Sequence, residues 1–401
     1  MTTTIPPHRG RAVARAADPS AAEVRRSTSG HGVVDVAALI GSVGAAVSVA
    51  ALLITRVISL GNVGSFMVIA YLLFLVFFGV VVLLIEQDGR TVRDRLASVA
   101  MHSMAAVTLV ALSFVIAFTF WDGRDALPHL NFFTQDLQLA GPLDPLDVGG
   151  ILHAIVGTLI EITIALLIVV PLGLAGALYL NEASGPLARF VRTVVEAMTA
   201  LPAILAGLFI LAAVILALGV DKSGLAAGLA ISVMMLPIVI RAADVVVRLV
   251  PGSLREAAFA LGAPRWRTAW HVVLPTARSG LTTAVLLGTA RGIGETSPVL
   301  ITAGFGSSLS FNPTSGPMVS LPLLTFVLSH SPEHTMVARA FGAGAVLLVL
   351  VVVLFGLART LGGRAPGELS QRVQRKRAEE SARDRARFDS RRRSPAQRSV
   401  R

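Results

Sequence analysis

Apolar residues gather in eight long runs, at about 36–55, 66–85, 97–120, 152–180, 198–220, 225–247, 279–302 and 336–358, with polar and basic connections between them. A helix rises about 1.5 Å per residue, so some 20 apolar residues cross the roughly 30 Å hydrocarbon layer of a bilayer. Each run therefore predicts one crossing. The crossings must be helical, because a lone segment in lipid can satisfy its backbone N–H and C=O groups in no other way. Val36 to Thr55 and Phe66 to Ile85 contain no charged residue, which makes the first two the plainest. The expected fold class is an all-α integral membrane protein of about eight transmembrane helices.

Composition agrees: hydrophobic residues make up 54% of the 401 and charged residues only 15%, which argues against a water-soluble fold. The distribution of charge sets an orientation, since cytoplasmic loops collect Lys and Arg. With both termini inside, 29 of the 35 basic residues lie on the cytoplasmic side, leaving Arg56, Arg124 and Lys222 outside and Arg241, Arg291 and Arg339 within spans. The expected location is thus the cell membrane, multi-pass, both ends cytoplasmic. The apolar run after residue 33 is too long for a signal-peptide core and is expected to stay as the first helix. Four regions follow: a disordered N-terminus at 1–33, a helical hairpin at 34–96, six spans at 97–362, and a tail at 363–401. That tail carries 13 basic and 5 acidic residues. It is expected to rest against anionic lipid at about 1 kcal/mol per basic residue near the surface. Specific nucleic-acid binding is disfavoured, since only Phe388 interrupts its charges.

The basic segment at 251–275 contains Glu256-Ala257-Ala258, then Gly262 after three residues, then Val272-Val273-Leu274-Pro275 after nine more. Small residues allow a partner surface to approach closely. Gly262 suits a turn of positive φ, and Leu274-Pro275 is expected to stop the second of two short helices. This spacing resembles the EAA loop of ABC-transporter permeases, the segment that docks on a cytoplasmic ATPase, with Val272 in place of the usual Ile. Further stretches narrow the likeness: Gly149-Gly150 through Gly157-Thr158-Leu159, Leu236-Pro237 through Arg241, Ala290-Arg291-Gly292-Ile293-Gly294-Glu295-Thr296-Ser297-Pro298, Asn312-Pro313, and Ser320-Leu321-Pro322-Leu323. Together they are similar to the PstA-type permease of phosphate ABC importers, over about 97–362. The likeness implies a six-helix permease core, here preceded by an extra hairpin. It also implies a second permease subunit of PstC type, an ATPase dimer of PstB type, an external phosphate-binding protein of PstS type, and inorganic phosphate as cargo.

Charges within spans point to an anion pathway on physical grounds, because ionisable groups in lipid are costly and usually face a water-filled cavity or each other. Arg291 and Glu295 lie four apart on one helical face, and Arg241 and Asp244 three apart on the preceding span. If the two faces met, two guanidinium groups and two carboxylates would line one seam. Arginine's planar fork fits phosphate oxygens, and nearby carboxylates would keep the contact transient. The alternative is that both pairs are bridges between helices, with Asp244 meeting only Arg248. Glu161, alone in the fourth span, is expected to pair with an arginine of this chain or of the partner subunit. Gly157, Pro171, Gly173, Pro202, Pro237, Gly292 and Gly294 interrupt the spans as in transporters that rock between states, although both residue types are common in membrane helices.

Several chemistries are disfavoured. No Gly-x-x-x-x-Gly-Lys-Ser/Thr loop is present, so ATP is expected to be bound by the partner ATPase and no cofactor by this chain. There is no cysteine, and His330 and His334, separated by Pro332, lack a third ligand for a metal. No acid–base cluster suggests catalysis. The competing readings are a permease for sulfate, molybdate or phosphonate, an ion-coupled secondary transporter or channel, and a lipid-modifying membrane enzyme. The second would lack the docking loop and often shows duplicated halves. The third would need an interfacial acid–base cluster.

Overall fold

A computed structural model describes residues 33–56, 63–86, 89–362, 378–381 and 383–385. The expected disordered N-terminus and nearly all of the basic tail lie outside the described residues. The helices are α1 (Val33–Arg56), α2 (Val63–Glu86), α3 (Gly89–Asp122), α4 (Leu130–Thr134), α5 (Leu152–Glu182), α6 (Pro186–Thr199), α7 (Ala203–Ile210), α8 (Gly224–Arg248), α9 (Gly252–Ala260), α10 (Arg265–Thr268), α11 (Leu274–Ile293), α12 (Ser297–Thr302), α13 (Leu321–Ser329) and α14 (His334–Gly362). Two π-helical turns are inserted, Leu211–Leu216 after α7 and Ala269–Val273 before α11. Among the described residues there is no strand.

Contacts divide the chain into Met1–Leu112 and Ser113–Arg401, a boundary inside α3 rather than at 96 where the sequence places it. In the first unit α1 and α2 pack together, and Tyr71 and Ser103 share a hydroxyl–hydroxyl hydrogen bond of 2.7 Å. Apolar side chains such as Leu52, Leu72 and Met101 remain exposed there, as a lipid-facing surface requires.

In the second unit α5 and α8 form the centre, with α11 packed beside them and α14 against α11 and α13. Pro171 and Pro237 lie inside α5 and α8 without breaking either. Close approach of the backbone explains Gly157 on α5: a Cβ there would lie 2.2 Å from the Val319 carbonyl oxygen. The segment before α13, which lies between two of the apolar runs, packs on α5. Leu321 N donates to Thr158 Oγ1 at 2.8 Å, and Leu321, Leu323 and Leu324 are fully buried.

Among the described residues, six helices are singly long and apolar enough to cross a membrane: α1, α2, α3, α5, α8 and α14. The run expected at 198–220 is broken at Leu201–Pro202, where α6 and α7 meet with a 108° bend. Together they would make a seventh crossing. The run expected at 279–302 is α11, interrupted from Gly294 to Thr296 and resumed as α12. Arg291, Glu295 and several Ser and Thr residues make it the least apolar of the eight.

A compact cap covers one end of this unit. Asn131 Nδ2 donates to Leu146 O and Gly149 O at 2.9 and 2.8 Å, and Leu309 N donates to Asp136 Oδ2 at 2.9 Å. Arg339 of α14 is fully buried and reaches into the cap, its Nη2 donating to Pro145 O at 2.7 Å and Val148 O at 2.8 Å.

Candidate functional site

Arg291 and Glu295 meet as their spacing predicts. The chain leaves helical geometry just past Ile293, and Arg291 Nη2 lies 3.0 Å from Glu295 Oε1, without the alignment of a hydrogen bond. The two side chains sit very differently, Arg291 57% exposed and Glu295 8%. Gly292 between them packs on α8, where a Cβ would collide with Met235 Sδ at 2.4 Å. Arg291 lines a hollow of about 80 Å³ with Met198, Thr199 and Leu201 at the α6–α7 bend, Ala206 of α7, and Val233, Met234 and Ile238 of α8. The walls are apolar, and Arg291 brings the only formal charge among the lining residues.

The four-group seam does not form. Asp244 pairs with Arg248 at 2.8 Å, the bridge one turn along α8 that the sequence offered as the alternative. Arg241 faces α6, its Nη1 donating to Thr199 Oγ1 at 3.4 Å. It lines a second hollow of about 290 Å³ with Arg192, Glu196, Asp244 and Arg248. The seam fails because α6 packs against this side of α8 and draws Arg241 toward it. Thr199 belongs to the first hollow and bonds to an arginine of the second, so the two adjoin there.

Glu161 has no arginine partner from this chain among the described residues. It is 1% exposed on α5, with the Ser320 hydroxyl as the polar group facing it. The contact falls short of a well-formed hydrogen bond, leaving Glu161 Oε1 and Ser320 Oγ unsatisfied.

The loop expected to dock a partner comprises α9, a turn, α10 and the second π turn. Glu256 and Ala257 are exposed on α9, and Ala258 is half-buried. Gly262 has φ +79°, the left-handed turn expected of it. Leu274-Pro275 does not stop a helix. Residues 265–293 run on in helical geometry, with Pro275 in the first turn of α11. Proline lacks an N–H and crowds the carbonyl four residues back, and the π turn just before it widens the ladder at that place. Leu261, Trp266 and Trp270 are 89%, 63% and 65% exposed, an apolar surface that the motif alone did not reveal. A signal was available: two of the chain's three tryptophans lie four residues apart in a basic loop.

A helical membrane core with such a loop on its surface defines a permease subunit. The profile of the family described as binding-protein-dependent transport system inner membrane component matches residues 169–365. The chain is 37% identical over 272 residues to the phosphate transport system permease protein PstA of Mycobacterium leprae, covering 67% of this chain and 89% of that one. It is 36% identical over 273 residues to the phosphate transport system permease protein PstA 1 of Mycobacterium tuberculosis, covering 68% and 88%. A bacterial ABC transporter that imports the acidic polysaccharide alginate is similar in structure, with a TM-score of 0.45 and 14% identity over 68% of this chain and 98% of that one. The chain belongs to the family of binding-protein-dependent transport permeases, among the PstA-type inner-membrane components.

Proposed function

We propose that this protein forms half of the translocation pathway of an ATP-driven importer of inorganic phosphate. The observation that carries the reading is Arg291. Its half-exposed guanidinium lines a hollow between three helices, beside a buried carboxylate, in a chain 37% identical to a phosphate permease over 272 residues. A guanidinium can donate two parallel hydrogen bonds to a phosphate. Glu295 offsets part of its charge, so that the anion is held without being trapped. Arg241 stands beyond Thr199 as a second cationic group on the same route, and Glu161 is a buried carboxylate further along α5, facing Ser320.

The chain performs no ATP hydrolysis in this scheme and carries no cofactor. It pairs with a second, PstC-type permease. A PstB-type ATPase dimer docks on the loop at Glu256, Ala257, Ala258 and Gly262, leading into Leu274 and Pro275, and a PstS-type binding protein delivers phosphate from outside. Both termini are cytoplasmic, which places the docking loop and the basic tail on the ATPase side. ATP hydrolysis by the reconstituted complex tests the reading. Phosphate with its binding protein should stimulate hydrolysis, and sulfate, molybdate and a phosphonate should not; stimulation by one of these instead would reassign the cargo.

The loop makes its own prediction. A β-branched residue at φ +79° is strained by about 1–2 kcal/mol or more. Gly262→Val should therefore distort the turn, reduce co-purification of the ATPase and bring uptake to background while the protein still reaches the membrane. Normal co-purification together with normal uptake would sink the docking assignment.

A further inference from the structure

Arg255 stands one residue before the exposed Glu256, yet only 19% of its side chain meets solvent. Its Nη1 donates to Asn181 Oδ1 at 2.6 Å and to Glu182 Oε1 at 3.2 Å, and its Nη2 donates to Val247 O at 3.0 Å. One guanidinium thus joins α9 to the last two residues of α5 and to the last turn of α8. The chemistry suits the place. Carbonyls in the final turn of a helix lack intrahelical partners and carry partial negative charge. A planar fork can serve such a carbonyl and a carboxylate together, which a lysine ammonium on a flexible stem does less well. Apart from this clamp, α9 packs mainly on α10 and the π turn, parts of the same loop. From the clamp, α8 runs to Val233, Met234 and Ile238, which line the hollow beside Arg291.

We propose that Arg255 is the positioning residue that makes the docking loop, α5 and α8 one lever. A displacement imposed on α9 by the ATPase then reaches the Arg291 hollow instead of being lost in a loose loop. The proposal rests on the importer reading and adds to it the route by which the loop moves the pathway.

The absence of cysteine makes a direct test simple. Ser184→Cys and Ser253→Cys place spin labels at exposed positions on the two sides of the clamp. Their distance is measured by pulsed electron paramagnetic resonance in the full complex, assembled with cysteine-free partners. A single narrow distribution is expected, unchanged by nucleotide. Arg255→Ala should broaden it and lower uptake at least tenfold, while the ATPase stays bound and hydrolyses ATP without stimulation by the cargo. Asn181→Ala with Glu182→Ala, which leaves the docking loop untouched, should do the same. The proposal is overturned by a broad distribution in the labelled parent, by an unchanged one in both variants, or by loss of the ATPase from the Arg255→Ala complex. The last outcome would place Arg255 in the docking surface itself. The distances do not depend on cargo, so failure of the parent to move phosphate would count against the importer reading alone.

Discussion

Arg291→Lys is expected to cut phosphate uptake by at least about tenfold, because losing one charge-assisted hydrogen bond is worth about 1.5–3 kcal/mol and each 1.4 kcal/mol is a factor of ten. The substitution keeps the charge and removes the fork. The more decisive form exchanges the partners. Arg291→Glu leaves two carboxylates side by side, and Glu295→Arg forces a second guanidinium into a position now 8% exposed, so each alone should abolish uptake. In the double exchange the ion pair can re-form one turn away. A pathway role for Arg291 predicts that uptake stays lost, because the cation has left the hollow for a buried site. Full rescue would show the pair to be a helix-to-loop bridge and place the anion's route elsewhere. Amounts of protein in the membrane must be matched for every variant.

Arg339→Met should loosen the cap without touching the hollow. Methionine keeps much of the apolar stem but leaves Pro145 O and Val148 O without their donor, at roughly 1–3 kcal/mol for each carbonyl that water does not reach. The melting temperature of the purified protein should fall, and amide exchange across 144–150 should rise. Arg339→Lys should recover part of both, one acceptor at a time. If neither quantity moves, the cap is held by its other bonds, those of Asn131, Gln135 and Asp136.

What could be read from the chain beforehand follows the range of each interaction. Crossing helices announce themselves locally, as about 20 apolar residues in a row, and the structure has helices in all eight runs. The Arg291–Glu295 pair was also local, four positions apart, although Glu295 lies just past the end of α11 and not on its face. Asp244 had a cation at the same spacing and took it. Arg241 and Glu161 could not be placed this way. Their surroundings depend on α6 and on the segment at 318–320, elements distant in sequence that meet them only after folding. Arg339 was visible only as a charge in a span, because the carbonyls it holds lie some 190 positions earlier. Pro202 marked a break, but no residue pattern announced a 108° turn there. Pro275 misled because proline usually ends helices from within, whereas here it opens α11 behind a widened turn.

That widened turn bears on which changes of length the chain can absorb. A π turn holds one residue more than α-helical winding needs. Deleting a single residue within Ala269–Val273 would let the ladder close as ordinary α-helix, with the segments before and after it keeping their mutual orientation. The same deletion further along α11, between 280 and 287, would turn everything beyond it by about 100°. Arg291 would then point away from its hollow. Insertions and deletions should accordingly be tolerated on the loop side of α11 and eliminated along its length, making the turn a natural point where the preceding loop can vary in length while α11 keeps its phase.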